Sequence, residues 1–206
     1  IDSHRVVVGA IGDDDVAINA GSVYVFTWNG ISWDTTRLYA SDGSNQDFFG
    51  HSVAIDGNRI VVGAYKDDAQ GTESGSVYLF DWNGSSWDET KLTPTDGADY
   101  DHFGFNVAID RNYIVVGAYN DDHQGISSGS IYVFDWDGSS WGETKLNASD
   151  GTIDDDFGYS VAIDGNRLVV GARNDDDQGT ESGSVYVYEQ TTVGFSSPKK
   201  LDIKVF

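Results

Sequence analysis

Cysteine and methionine are both absent from the 206 residues, and Lys plus Arg number only 12. Without cysteine neither a disulfide framework nor a thiolate metal site can form, so stability has to come from packing; secretion is not thereby excluded. Without methionine Ile1 is no initiator, and the chain is expected to be a processed product or a piece of something longer. The few basic residues face 34 Asp and Glu, a net charge of −22. Phosphate backbones and anionic membrane surfaces would repel such a chain, so no nucleic-acid partner is expected. Basic partners and divalent cations are favoured instead. No apolar run is long enough to span a bilayer and no signal-peptide pattern is present, so no membrane insertion is expected. G-x-S-x-G, H-E-x-x-H and P-loop patterns are missing as well. His4, His51, His102 and His123 fall at four different repeat positions and form no constellation, so no enzyme is expected.

What the chain does carry is repetition. FGHSVAIDGNRIVVGAYKDDAQGTESG begins at Phe49 and returns, little changed, at Phe103 and Phe157, every 54 residues. The chain opens on IDSHRVVVGAIGDDD, the same text short of its first six residues. The units are 1–48, 49–102, 103–156 and 157–206, read as one domain, 1–206, or a fragment of one. A fixed period of this size marks stacked units, none of which can bury its apolar face alone.

In the unit from Phe49 to His102, Ser52–Ile55 and Arg59–Ala64 flank a two-residue, Gly-containing turn and read as a hairpin. Their nearly continuous apolarity suggests strands covered on both faces. Lys66–Ser74 is a polar loop. Gly75–Trp82 is a third strand and Ser86–Leu92 a fourth, joined by Asn83-Gly84. With those two as the central pair, Trp82 faces Ser85 and Phe80 faces Trp87, and Tyr78, Phe80, Trp82 and Trp87 share one face. Four antiparallel strands per unit and no helical periodicity predict an all-β chain, a β-propeller of four-stranded blades. A β-solenoid is the runner-up, but its coils are shorter. The last unit departs: Gln190 and Phe195 stand where the others have Trp, and 198–206 is expected to supply its fourth strand and to end the array.

Phe49-Gly50 with Gly63-Ala64, Phe103-Gly104 with Gly117-Ala118, and Phe157-Gly158 with Gly171-Ala172 resemble FG-GAP repeats, the blades of integrin α-subunit propellers and of many secreted bacterial proteins. Gly9-Ala10 fits the incomplete first unit. The Pro that closes the family motif is Ile11, Tyr65, Tyr119 and Arg173 here. The resemblance implies an extracellular, non-catalytic adhesion or ligand-binding propeller, often of about seven blades. Four units then form part of a larger ring, close alone, or complete a ring by self-association. Many FG-GAP blades bind calcium between their first two strands. That loop has shrunk here to Asp56-Gly57-Asn58, Asp110-Arg111-Asn112 and Asp164-Gly165-Asn166, too few oxygens for the ion.

In an up-and-down sheet the second-to-third loops and the blade connectors lie at one end. That end collects Asp13, Asp14, Asp42, Asp47, Asp67, Asp68, Glu73, Asp96, Asp99, Asp101, Asp121, Asp122, Asp150, Asp154, Asp155, Asp175 and Asp176. One reading is a face for a protein or glycan ligand, with Asp13, Asp14, Asp42, Asp47, Tyr65, Tyr119 and Arg173 in contact. In that reading Ca²⁺ is held by groups such as Asp67, Asp68 and Glu73, or Asp96, Asp99 and Asp101. The other is that these carboxylates cap their own turns and keep the chain soluble. The pairs Trp28/Trp33, Trp82/Trp87 and Trp136/Trp141 suit either inter-blade packing or sugar stacking. A lectin-like propeller and a structural assembly module are the alternatives to adhesion.

Overall fold

The computed structural model describes residues 1–191 and 194–202. The chain divides into two compact units, Ile1–Phe105 and Asn106–Phe206. No helix occurs among the described residues, and the sheets are antiparallel propeller blades. In the first unit, blade 1 is β1 (Arg5–Ala10), β2 (Ser22–Trp28) and β3 (Trp33–Leu38), hydrogen-bonded in that order. Blade 2 is β4 (Ser52–Asp56), β5 (Arg59–Ala64), β6 (Ser76–Trp82) and β7 (Trp87–Leu92), again in chain order.

The second unit repeats the plan. Blade 3 is β8 (Asn106–Asp110), β9 (Tyr113–Ala118), β10 (Ser130–Trp136) and β11 (Trp141–Leu146). Blade 4 is β12 (Phe157–Asp164), β13 (Arg167–Ala172) and β14 (Ser184–Thr191), with β15 (Gly194–Phe195) and β16 (Lys199–Asp202) both on β14. The expected last strand therefore forms as β16, while 203–206 lie outside the described residues.

Within each unit the blades are joined by a repeated stitch. The Phe of each Phe-Gly is fully buried and bridges, in parallel, a glycine earlier in its own unit: Gly21 with Phe49, Gly129 with Phe157, and Gly75 with Phe103 at the end of the first unit. Its N–H donates to the loop before that glycine, as Phe49 does to Ala20 O at 2.9 Å and Phe157 to Ser128 O at 3.1 Å. The backbones approach so closely that a Cβ built on Gly63 would lie 1.9 Å from Gly104 O, and one on Gly117 2.0 Å from Gly158 O. The Phe157 ring packs among Val115, Ile131, Leu168 and Tyr186, and Phe49 among Val23, Val25, Ile60 and Tyr78. Burial of the strand face toward the next blade follows from this stacking: Val115 is 0 % exposed in the cluster with Phe157 and Leu168, whereas its blade 4 counterpart Val169 is 37 % exposed.

One register differs from expectation. Trp82 pairs with Trp87, and Phe80 with Glu89. Residues 83–86 make a four-residue loop because the Asn83 side chain accepts from both Ser85 N and Ser86 N at 2.9 Å, while Asn83 N donates to Ser86 O at 3.0 Å. That cap, an Asx turn, wins over the two-residue Asn-Gly turn. The indoles then meet across the strands at 5.3 Å, and the four aromatics still share a face.

Candidate functional site

Loop and connector come together at one end of each blade pair. Tyr100 N donates to Thr72 O at 2.7 Å, Gln46 N to Ile18 O and Asp154 N to Ile126 O at 2.8 Å, so the second-to-third loop of a blade is laced to the connector leaving it. The carboxylates collected there sort into three layers by repeat position.

The innermost layer is Asp13, Asp67, Asp121 and Asp175. Asp67 is buried and accepts from Ser76 Oγ at 2.7 Å, Tyr78 OH at 2.9 Å, Lys91 Nζ at 2.9 Å and Ala69 N at 2.9 Å. Asp121 takes the same partners one repeat later: Ser130 Oγ at 2.8 Å, Tyr132 OH at 3.1 Å and Lys145 Nζ at 2.7 Å. In blade 4 Tyr186 OH and Lys200 Nζ donate to Asp175 at 2.9 and 2.8 Å; in blade 1 Ser22 and Arg37 donate to Asp13. Each cation also lies over its tyrosine ring, Lys91 5.1 Å from the Tyr78 centroid and Lys145 5.2 Å from that of Tyr132. Asp42 and Asp150, from the preceding connectors, complete the networks of blades 2 and 4, sharing the single proton of Tyr78 OH (2.6 Å) with Asp67 and that of Tyr186 OH (2.7 Å) with Asp175. Asp96 holds the same repeat position and is exposed. Burial works against the Lys91 ammonium, but Asp42 and Asp67 outweigh it and raise its pKa; Lys200 is raised in the same way. Burial and the carboxylates together push the Tyr78 hydroxyl far above its ordinary value.

The middle layer closes the connectors. Asp47, Asp101 and Asp155 are buried and accept from Ser44 N at 2.6 Å, Ala98 N at 2.8 Å and Thr152 N at 2.6 Å. Burial raises the Asp47 carboxyl to about 6, with the Ser44 N–H opposing and the Asp67 charge adding to the rise. Asp155 is raised for the same first reason. Between about pH 4, where a carboxyl of the unfolded chain titrates, and 6, the native state holds the extra proton, so raising the pH through this window costs stability. Asp47→Asn keeps an acceptor for Ser44 N and removes the buried charge. It is expected to stabilise the chain by about 1–3 kcal/mol near neutral pH, with the gain shrinking toward pH 4–5, in urea titrations across that range.

The outer layer is exposed. Asp14, Asp68, Asp122 and Asp176 each accept from the N–H five residues on: Asn19, Glu73, Ser127 and Glu181. Asp99 accepts from Thr72 N at 2.8 Å, and Asp154 is exposed. Glu73 turns away from its neighbours Asp67 and Asp68 to receive Lys66 Nζ and His102 Nε2, both at 3.0 Å. Among the described residues no three His, Asp or Glu side chains converge as a ligand set for a metal ion. Two of the four histidines meet one tyrosine ring. His51 and His102 lie 4.5 and 5.3 Å from the Tyr65 ring, because one follows and the other precedes a buried Phe-Gly. Tyr119 meets Tyr159 edge to face, and Arg173, bound to Asp156 at 2.7 Å, lies over the Tyr159 ring at 4.1 Å.

The partners overlooked in the sequence are thus Tyr78, Lys91 and their counterparts. Their signal was available: Tyr24, Tyr78, Tyr132 and Tyr186 recur every 54 residues, as do Arg37, Lys91 and Lys145, with Lys200 one residue later.

No curated protein matches the chain. The FG-GAP repeat family matches four stretches, 1–26, 33–80, 87–134 and 141–188. The last three begin at the outer strand of one blade and run into the third strand of the next, so the matched unit includes the stitch between blades. The matches cover most of the chain and carry the Phe-Gly and Gly-Ala elements that hold its blades together: it belongs to the FG-GAP repeat family.

Proposed function

We propose that the chain is a non-catalytic binding module of an extracellular protein, taking a protein or peptide ligand on its loop face. The observation that carries this reading is on that face. Ile126 and Ile153 stand 64 % and 60 % exposed on two loops joined by the Asp154-to-Ile126 hydrogen bond, with the carboxylates Asp122 and Asp154 beside them. In the first unit Ile18 and Tyr100 are exposed on the corresponding loops. Large apolar side chains held out on rigid, acid-bearing loops suit a partner that brings both apolar and basic groups. The family resemblance supports the extracellular setting, and no helix among the described residues is long and apolar enough to cross a membrane.

A random-peptide display library panned on the immobilised chain is expected to enrich sequences that place Lys or Arg beside Leu, Phe or Trp. The double substitution Ile126→Ser and Ile153→Ser touches exposed positions and should leave the fold within about 0.5 kcal/mol. It should weaken capture about tenfold or more, as loss of an interface centre does. Capture is expected to be unchanged by calcium or a chelator, since the inner carboxylates already hold Lys, Tyr and Ser. No enrichment, or peptides indifferent to the double substitution, would sink the reading; loss with chelator would give Asp99 or Asp154 to a metal.

A further inference from the structure

At the other end of the strands, between blades 3 and 4, lies a cavity of about 520 Å³. Its origin is a departure from the repeat. At the equivalent place between blades 1 and 2, the Arg5 guanidinium lies over both indoles of Trp82 and Trp87, 5.7 and 5.2 Å from the ring centroids, and donates to Gly57 O and Asn58 Oδ1. Two junctions on, the three counterparts are Tyr113, Gln190 and Phe195. Two indoles have become an amide and a phenyl ring, and the space they leave is open.

We propose that this cavity binds a neutral mono- or disaccharide. Its size is within the range of small-molecule sites. The half-buried part of the lining, its floor, includes Tyr113, Leu146 and Phe195; the rim has the exposed Asp135 and Thr144 together with the half-buried Gln190. A sugar ring has that same division, C–H groups on one face and hydroxyls around the edge. The aromatic floor takes the first, and a carboxylate, an amide and a hydroxyl take the second. Gln190 is already oriented, its Nε2 donating to Tyr113 OH. Among the described residues no Lys or Arg lines the cavity, which argues against a phosphate or carboxylate ligand. A purely apolar ligand would cover the exposed Asp135 and Thr144 without offering either a hydrogen bond. Tyr113 and Phe195 meet edge to face, 5.7 Å apart at 80°, which makes a platform and not a cage for a quaternary ammonium group.

The site is independent of the loop face, so either can fail alone. The test is saturation-transfer NMR and calorimetry on the whole chain with glucose, galactose, mannose, N-acetylglucosamine and their β-linked disaccharides, and with choline. At least one saccharide is expected to bind at millimolar concentration or below. Asp135→Asn, at an exposed rim position that spares the fold, should weaken it about tenfold, as loss of one charge-assisted hydrogen bond would. The double substitution Gln190→Trp and Phe195→Trp restores the pair the other blades carry; it should abolish binding without lowering the melting temperature. Silence across the saccharides, choline bound in their place, or saccharide binding that survives the restored tryptophans each overturns the proposal.

Discussion

Lys145→Met is expected to destabilise the chain by about 3 kcal/mol, the usual cost of removing one partner from a buried ion pair. The carboxylate it leaves behind, Asp121, is only 3 % exposed. Ser130, Tyr132 and the His123 N–H still donate to it, but no charge then opposes its own on the Lys145 side. The methionine fills the methylene stem over the Tyr132 ring, so the loss reports charge more than packing. Asp121→Asn in the same chain should return part of the stability, because the uncompensated charge goes with it. Arg167→Met supplies the comparison: its pairing with Glu189 is long, at 3.8 Å, and exposed on both sides, and its loss should cost less than about 0.5 kcal/mol. Thermal melts of the four chains decide it. A drop of roughly 6–12 °C for Lys145→Met is expected, and a drop no larger than that of Arg167→Met would show the inner carboxylates to be free of their lysines.

Gly117→Ala adds a single methyl group and is expected to cost as much or more. The new Cβ would meet Gly158 O at 2.0 Å and its carbon at 3.0 Å, and these are backbone atoms of the next blade with no rotamer to yield. Either the blades move apart, exposing the Phe157 pocket, or the bridge from Gly129 to Phe157 breaks. A loss of about 3 kcal/mol or more follows, at the upper end of overpacking effects. Gly142→Ala is the control. It lies in a strand too, its nearest contact is an ordinary 3.7 Å, and alanine there should be neutral or stabilising by up to about 1 kcal/mol. Denaturant titration of both separates the effects; equal stabilities would mean the close approach at Gly117 does not exist in solution.

How much of this was legible beforehand depends on how far along the chain each interaction reaches. Hairpins such as β4–β5 close over two residues, and the alternation of apolar runs with turn residues declares them. The third-to-fourth turn misled because Asn83-Gly84 fits a two-residue turn equally well; the deciding hydrogen bonds are those the Asn83 side chain accepts from Ser85 N and Ser86 N, beyond the glycine. The acids were visible as acids, and the topology placed them at the loop end of each blade. What they do was hidden, since Asp67 meets Tyr78 and Lys91 across two other strands, 11 and 24 residues away. Only the shared period of Asp, Tyr and Lys links them in one dimension. The cavity between blades 3 and 4 was half legible: Gln190 and Phe195 stood out as departures, but the emptiness they create needs the neighbouring blade's Tyr113 to be seen.

The stitch between blades also bears on how such a chain can change its length. Any cut that removes 54 residues between Phe49 and Phe157 rejoins a Phe-Gly to a seat of the same shape, with its glycine bridge, its loop carbonyl and its lysine-bound aspartate in place. A cut of another size brings a strand to the wrong seat and exposes a phenylalanine. Growth and shrinkage by unequal recombination are therefore quantised in whole blades, each exchange adding or removing one repeat's own stability and one stitch.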